Sequence, residues 1–179
     1  KKIWDCGEFY RKQQGAYPVI YITFKDVKFD NWKDSLEAIR LVIRDEYMRH
    51  AEILSWDGLD VVEKDYLDRM QKGTLSNVEY TRALLNLSRM LEKYHNKKIV
   101  VLIDEYDTPI QQGHSKGFYN EVITFMRNFM SGGLKDKLAL AFGVLTGILR
   151  VSKENLFSGL NNLVVNSVLD EKYSEYFGF

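Results

Sequence analysis

Cysteine, net charge and long apolar runs are all scarce in this chain. Cys6 is the only cysteine among 179 residues, so an internal disulfide is excluded and a reducing compartment such as the cytoplasm is expected. Lysine plus arginine equals aspartate plus glutamate at 25 each, which gives no electrostatic footprint for nucleic acid or a membrane surface. No apolar stretch approaches the roughly 20 residues a bilayer requires, and the N-terminus has no signal-peptide apolar region. Repeats and low-complexity segments are missing too. His50, His95 and His114 lie far apart in sequence and form no zinc spacing, so they are expected on helix surfaces or loops. No base is placed by any motif beside Cys6 to make it a nucleophile. The chain begins with Lys1 rather than Met, which leads us to expect a piece of a longer protein.

What is present suits one soluble globular domain. The chain is 45% apolar and 28% charged, and 179 residues suffice to bury a substantial core. Its centre is Ile99–Ile103, five apolar residues without alternation that run into Asp104-Glu105. Such a run is expected as a strand buried on both faces. Around it, Val19–Phe24 after Pro18 predicts a strand, with residues 1–17 mostly loop. Trp32, Leu36, Ile39, Ile43 and Tyr47 predict a helix over 31–54, capped by Asp30 or Asn31. Asp60-x-x-Glu63 and Gly73 bracket a second helix. A third starts at Ser76-x-x-Glu79, carries Tyr80, Leu84, Leu87, Leu91 and Tyr94 on one stripe, and ends near Asn96. The remainder predicts a loop over 111–117, a helix over 118–131 stopped by Gly132-Gly133, a buried strand over 138–145, a strand over 163–168 and a helix from Asp170. This alternation specifies a mainly parallel α/β sheet with helices on its faces.

Two consecutive carboxylates at a strand's end provide one group for a Mg²⁺ shell and another to polarise an attacking water. The competing explanation is a strand that becomes polar where it meets solvent. Thr146 and Arg150 follow the 138–145 run, so a hydroxyl and a cation would share the sheet edge with Asp104. Asp170-Glu171-Lys172 lacks nuclease spacing and reads as a helix N-terminus. A phosphate-cradling G-x-x-x-x-G-K-[ST] string is absent, since neither Gly7–Gly15 nor Gly113–Gly117 has its spacing.

Tyr17-Pro-Val-Ile20, Leu102-Ile-Asp-Glu-Tyr-Asp107-x-Pro109, Leu145–Ser152, Asn155–Leu163 and the closing Leu169–Phe179 together resemble the predicted AAA-ATPase-like family. That family is bacterial and often carries a PD-(D/E)XK nuclease-like domain downstream. The resemblance implies a three-layer α/β/α P-loop NTPase core of the additional-strand class, with sheet order 5-1-4-3-2. Residues 19–24, 99–104, 138–145 and 163–168 would be strands 2 to 5. Strand 1, the phosphate loop and the first helix would lie upstream, leaving 1–179 as one domain incomplete at its N-terminus. By resemblance Asp104 (Mg²⁺) and Asp107 would bind cofactor, Glu105, Thr146 and Arg150 would be catalytic, and Ser158, Asn161 and Asn162 match motif positions. The implied function is ATP binding and hydrolysis with Mg²⁺, weak in this chain alone; the alternative is a nucleotide-independent scaffold. Implied partners are ATP, a second copy or borrowed segment at the open sheet, and nucleic acid through the nuclease-like domain.

Overall fold

The structure, a computed structural model, describes residues 2–135, 138–148, 156–157, 163–167 and 170. Residues 1–17, expected as loop, hold two exposed turns of helix, α1 (Lys2–Asp5) and α2 (Glu8–Arg11). β1 (Val19–Thr23) follows Pro18, whose carbonyl accepts the Val100 N–H at 2.9 Å.

α3 (Trp32–Arg49) is capped by Asn31, whose side chain accepts the Asp34 N–H. The single helix expected over 31–54 breaks at His50, where ψ of 54° leaves helical geometry, and resumes as α4 (Ala51–Leu54). α5 (Val61–Lys72) has the expected reciprocal Asp60–Glu63 capping box and stops at Gly73 with φ of 68°. The Ser76–Glu79 box also forms, but the expected third helix is divided at Arg82 into α6 (Asn77–Thr81) and α7 (Ala83–His95). Its stripe still buries Tyr80, Leu84, Leu87 and Leu91, while Tyr94 is exposed. Asn96 ends α7 at φ of 50°.

β2 (Ile99–Asp104) then leads into α8 (Thr108–Lys116), where a loop was expected over 111–117. Pro109 occupies the first turn, where its missing N–H costs nothing. α8 was hidden because it is short and largely polar, burying only Thr108, Pro109, Ile110 and Gly113. α9 (Tyr119–Leu134) runs through Gly132-Gly133 rather than stopping there. A β-carbon on Gly133 would lie 2.3 Å from Leu84 Cγ, so this glycine admits α7 instead of ending α9.

β3 (Leu140–Leu145) completes a parallel sheet ordered β1-β2-β3. Ile20 pairs with Val101 and Thr23 with Asp104; Leu102 pairs with Val144 and Ile103 with Leu145. A parallel sheet with flanking helices is the arrangement of a three-layer α/β fold, and this order matches the 4-3-2 portion predicted for it. Residues 163–167, expected within a further strand, are not in a strand.

One face of β1 and β2 is fully buried. Ile20, Ile22, Ile99, Val101 and Ile103 are at most 3% exposed and join a core with Ile39 and Ile43 of α3, Leu87 and Leu91 of α7, and Met126 and Phe129 of α9. The opposite face carries Tyr21, Phe142 and Val144, all exposed, so β2 is dry on one face and half-buried on the other. β3 is therefore not the buried strand its composition suggests. Among the described residues no strand pairs with its outer edge, which removes one source of cover.

β1's own outer edge is held by α3. Glu46 Oε1 accepts the Tyr21 N–H at 2.8 Å, and Arg49 donates to the Val19 carbonyl at 2.7 Å. These bonds satisfy backbone groups that an edge strand would otherwise present for unwanted pairing. His50, expected on a surface, is buried beside Glu46 and also meets Glu52, which His95 approaches at 3.7 Å.

Candidate functional site

At the carboxyl ends of the strands, Asp104 is gripped from both sides. Thr23 ends β1 and its hydroxyl donates to Asp104 Oδ2 at 3.2 Å; Thr146, just after β3, donates its hydroxyl to Asp104 Oδ1. The Phe24 N–H donates to the Asp104 carbonyl at 3.0 Å, continuing the ladder beyond the last paired side chains. The result is a hydroxyl–carboxylate–hydroxyl row across three adjacent strand ends. Parallel register creates it, because in-register residues on neighbouring strands present side chains to the same face.

Thr146 was expected at this edge and is there, exposed. Thr23 was not singled out from sequence. Its only signal is that it lies at the end of a predicted strand, and nothing local pairs residue 23 with residue 104.

Glu105 sits at φ of 50°, a left-handed conformation that costs a non-glycine residue about 1 kcal/mol or more. It turns the chain out of β2 toward α8. The turn is held by the Tyr106 N–H donating to the Thr146 carbonyl at 3.1 Å and by the Thr108 N–H donating to the Glu105 carbonyl at 3.1 Å. The Thr108 hydroxyl reaches Glu105 Oε2 at 3.0 Å. Asp104 and Glu105 are thus adjacent in sequence but have separate partners.

Asp107 is only 1% exposed. Its Oδ2 accepts Gln111 Nε2 at 2.8 Å and the Ile148 N–H at 3.0 Å. Gly147 makes the approach possible, since a β-carbon there would meet Asp107 Oδ1 at 2.6 Å. Tyr106 packs edge-on against Phe157, with ring centroids 5.4 Å apart. Arg150, Ser158, Asn161 and Asn162 lie outside the described residues.

Chemically, the row offers oxygen donors only. Among the described residues there is no group of three or more His, Cys, Asp or Glu side chains that could cage a metal. One carboxylate with neighbouring hydroxyls matches the needs of Mg²⁺, which keeps several waters and takes one or two carboxylates, better than those of a soft metal. Cys6 is exposed. No described helix is long and apolar enough to cross a membrane.

Comparison with known proteins places this chain in a family. The model of a family described as AAA-ATPase-like, predicted AAA-ATPase, matches residues 3–157. An uncharacterised protein encoded in the vnfD 5′ region of Azotobacter chroococcum mcd 1 is 39% identical over 95 residues, which is 52% of this chain and 18% of that protein. An uncharacterised protein of Pasteurella multocida (strain Pm70) is 23% identical over 123 residues, covering 65% of this chain and 46% of that protein. The chain therefore spans less than half the length of either relative. No solved structure matches it significantly.

Proposed function

Because the chain belongs to the AAA-ATPase-like family of predicted AAA-ATPases, we propose that it supplies the acidic and threonine half of an ATP–Mg²⁺ site in a domain that hydrolyses ATP. The observation that carries this reading is the row Thr23–Asp104–Thr146 across three parallel strand ends. That is the edge where open α/β sheets receive ligands. Asp104 would hold Mg²⁺, directly or through its waters, with the threonine hydroxyls at hand. Mg²⁺, when bound, would neutralise charge on the phosphate oxygens. Glu105 would orient and polarise the attacking water, and Thr146 would donate to a γ-phosphate oxygen. Arg150 would offset the transferred charge. Asp107, expected among the nucleotide ligands, would act from behind the site. ATP is the partner this reading requires. A second copy along β3, nucleic acid through a nuclease-like domain elsewhere in the protein, and a cytoplasmic setting are further proposals drawn from the family resemblance and the single cysteine.

The 179 residues contain no G-x-x-x-x-G-K-[ST] string, the usual source of backbone amides for the β- and γ-phosphates. Calorimetric titration of this chain with Mg-ATP is expected to give millimolar affinity or weaker. Micromolar binding that survives D104A would overturn the assignment.

A second reading, a nucleotide-independent scaffold, is favoured by one feature: both Asp104 oxygens are already taken by hydroxyls. ATP turnover by the full-length protein separates the two. Activity lost in E105Q supports the ATPase, whereas a wild-type protein without turnover supports the scaffold.

A further inference from the structure

We infer that Asp107 is a positioning residue for Asp104, acting through the turn that leaves β3. It rests on the proposed function only for what Asp104 does. Asp107 stands at the N-cap of α8, where an aspartate side chain ordinarily accepts a backbone N–H of the first turn. Here it makes no such cap. The carboxylate is directed instead to Gln111 Nε2 on one side and the Ile148 N–H on the other. Gln111 is one helical turn along α8, so the carboxylate is anchored to its own helix while it grips a turn 41 residues away.

That turn is held at Thr146 and Ile148 by three residues at and just after the end of β2. Asp104 accepts the Thr146 hydroxyl, Tyr106 donates its N–H to the Thr146 carbonyl, and Asp107 accepts the Ile148 N–H. Gly147 lies between, close enough to Asp107 that any side chain would collide with it. The Thr146 hydroxyl is exposed and has freedom to rotate away from Asp104. The Thr146 N–H donates to the Ile103 carbonyl at 2.9 Å, and two residues on, the part-buried bond from the Ile148 N–H to Asp107 holds the outer side of the turn. Charge-assisted bonds of this kind are short and directional, so they set the turn more tightly than the exposed hydroxyl could by itself. Asp107 thus couples the start of α8 to the geometry of the carboxylate at the sheet edge. It does so without touching a ligand.

The test is amide exchange by NMR on the 179-residue chain, following the Asp104 ¹³Cγ resonance in the same samples without nucleotide. D107A is expected to speed exchange at Thr146 and Ile148 about tenfold or more. It should also move the Asp104 resonance in the direction that T146V moves it, while the Ile22 and Val101 amides keep their rates. D107N retains an acceptor oxygen and is expected to restore both readouts most of the way. G147A disturbs the same contact from the other side, leaving Asp107 in place, and is expected to reproduce D107A; it keeps the test decisive if D107A does not fold. Unchanged exchange at Thr146 and Ile148 would overturn the inference. So would acceleration spread equally over β1 and β2, or an Asp104 resonance unmoved by D107A and G147A. Because no nucleotide is present, failure to bind Mg-ATP leaves these outcomes standing, and the reverse holds too.

Discussion

Glu105 takes a left-handed backbone that a glycine would adopt freely, and it does so between a carboxylate in a hydroxyl row and a buried tyrosine. Strain of this type persists where the surrounding bonds over-determine it, here those from Tyr106 to Thr146 and from Thr108 to Glu105. The Glu105 side chain accepts the Thr108 hydroxyl at 3.0 Å, a bond that offsets part of this cost. E105G is therefore expected to be more stable than E105A by about 1 kcal/mol, because only alanine retains the β-carbon clash. Urea unfolding of the two variants measures this. An E105G protein no more stable than E105A would show that the turn is relaxed. At this scale, Asp104, Glu105 and Thr146 were legible in the sequence because each ends or follows an apolar run. Thr23 and the bond from Ile148 to Asp107 were not, since these contacts span 81 and 41 residues.

Among the elements, caps were the most legible feature. The Asp60–Glu63 and Ser76–Glu79 boxes form as their spacing predicts, because both partners lie within four residues and need no tertiary context. Breaks were less legible. The interruptions at His50 and Arg82 carry no proline or glycine to mark them in the sequence. Gly132-Gly133 shows the same limit: as punctuation it predicts a stop, yet α9 continues because α7 needs the space at Gly133. The two glycines provide a paired test. G133A is expected to destabilise by about 1–3 kcal/mol, as an inserted methyl meets the fully buried Leu84. G132A, whose β-carbon would have ordinary contacts at 3.7 Å or more, is expected to be neutral or to stabilise by about 0.5–1 kcal/mol through helix propensity. Thermal unfolding midpoints distinguish them, and equal effects would mean that α7 and α9 do not approach at Gly133.

For the molecule as a whole, acid stability depends on carboxylates that the fold holds ionised. Glu79 has its carboxyl pulled from 4.5 down to about 2 by the Ser76 N–H, the Ser76 hydroxyl and Arg69. Burial raises the Glu46 carboxyl, but hydrogen bonds from His50, Arg49 and Tyr21, with the Arg49 charge, outweigh it and leave it lowered. A lowered carboxylate stabilises the fold above its unfolded value, and that contribution fades as pH falls toward the folded value. Stability is therefore expected to fall between pH about 4.5 and about 2, and E79Q should flatten part of that slope. Urea midpoints at pH 7, 4 and 3 follow this; identical slopes for E79Q and wild type would exclude Glu79 as a source. Because Glu79 is partly exposed, its share at pH 7 is small.

The sequence by itself determined the order of β1, β2 and β3, the two capping boxes, the parallel α/β class and the carboxylates at the end of β2. These depend on local backbone preferences and on apolar spacing within one element. The tertiary structure alone decided which hydroxyls meet Asp104, that Asp107 reaches the 146–148 turn, and that β3 exposes Phe142 and Val144. Register, burial and contacts between turns are set by what neighbours each element in space. No single stretch of chain encodes its neighbour.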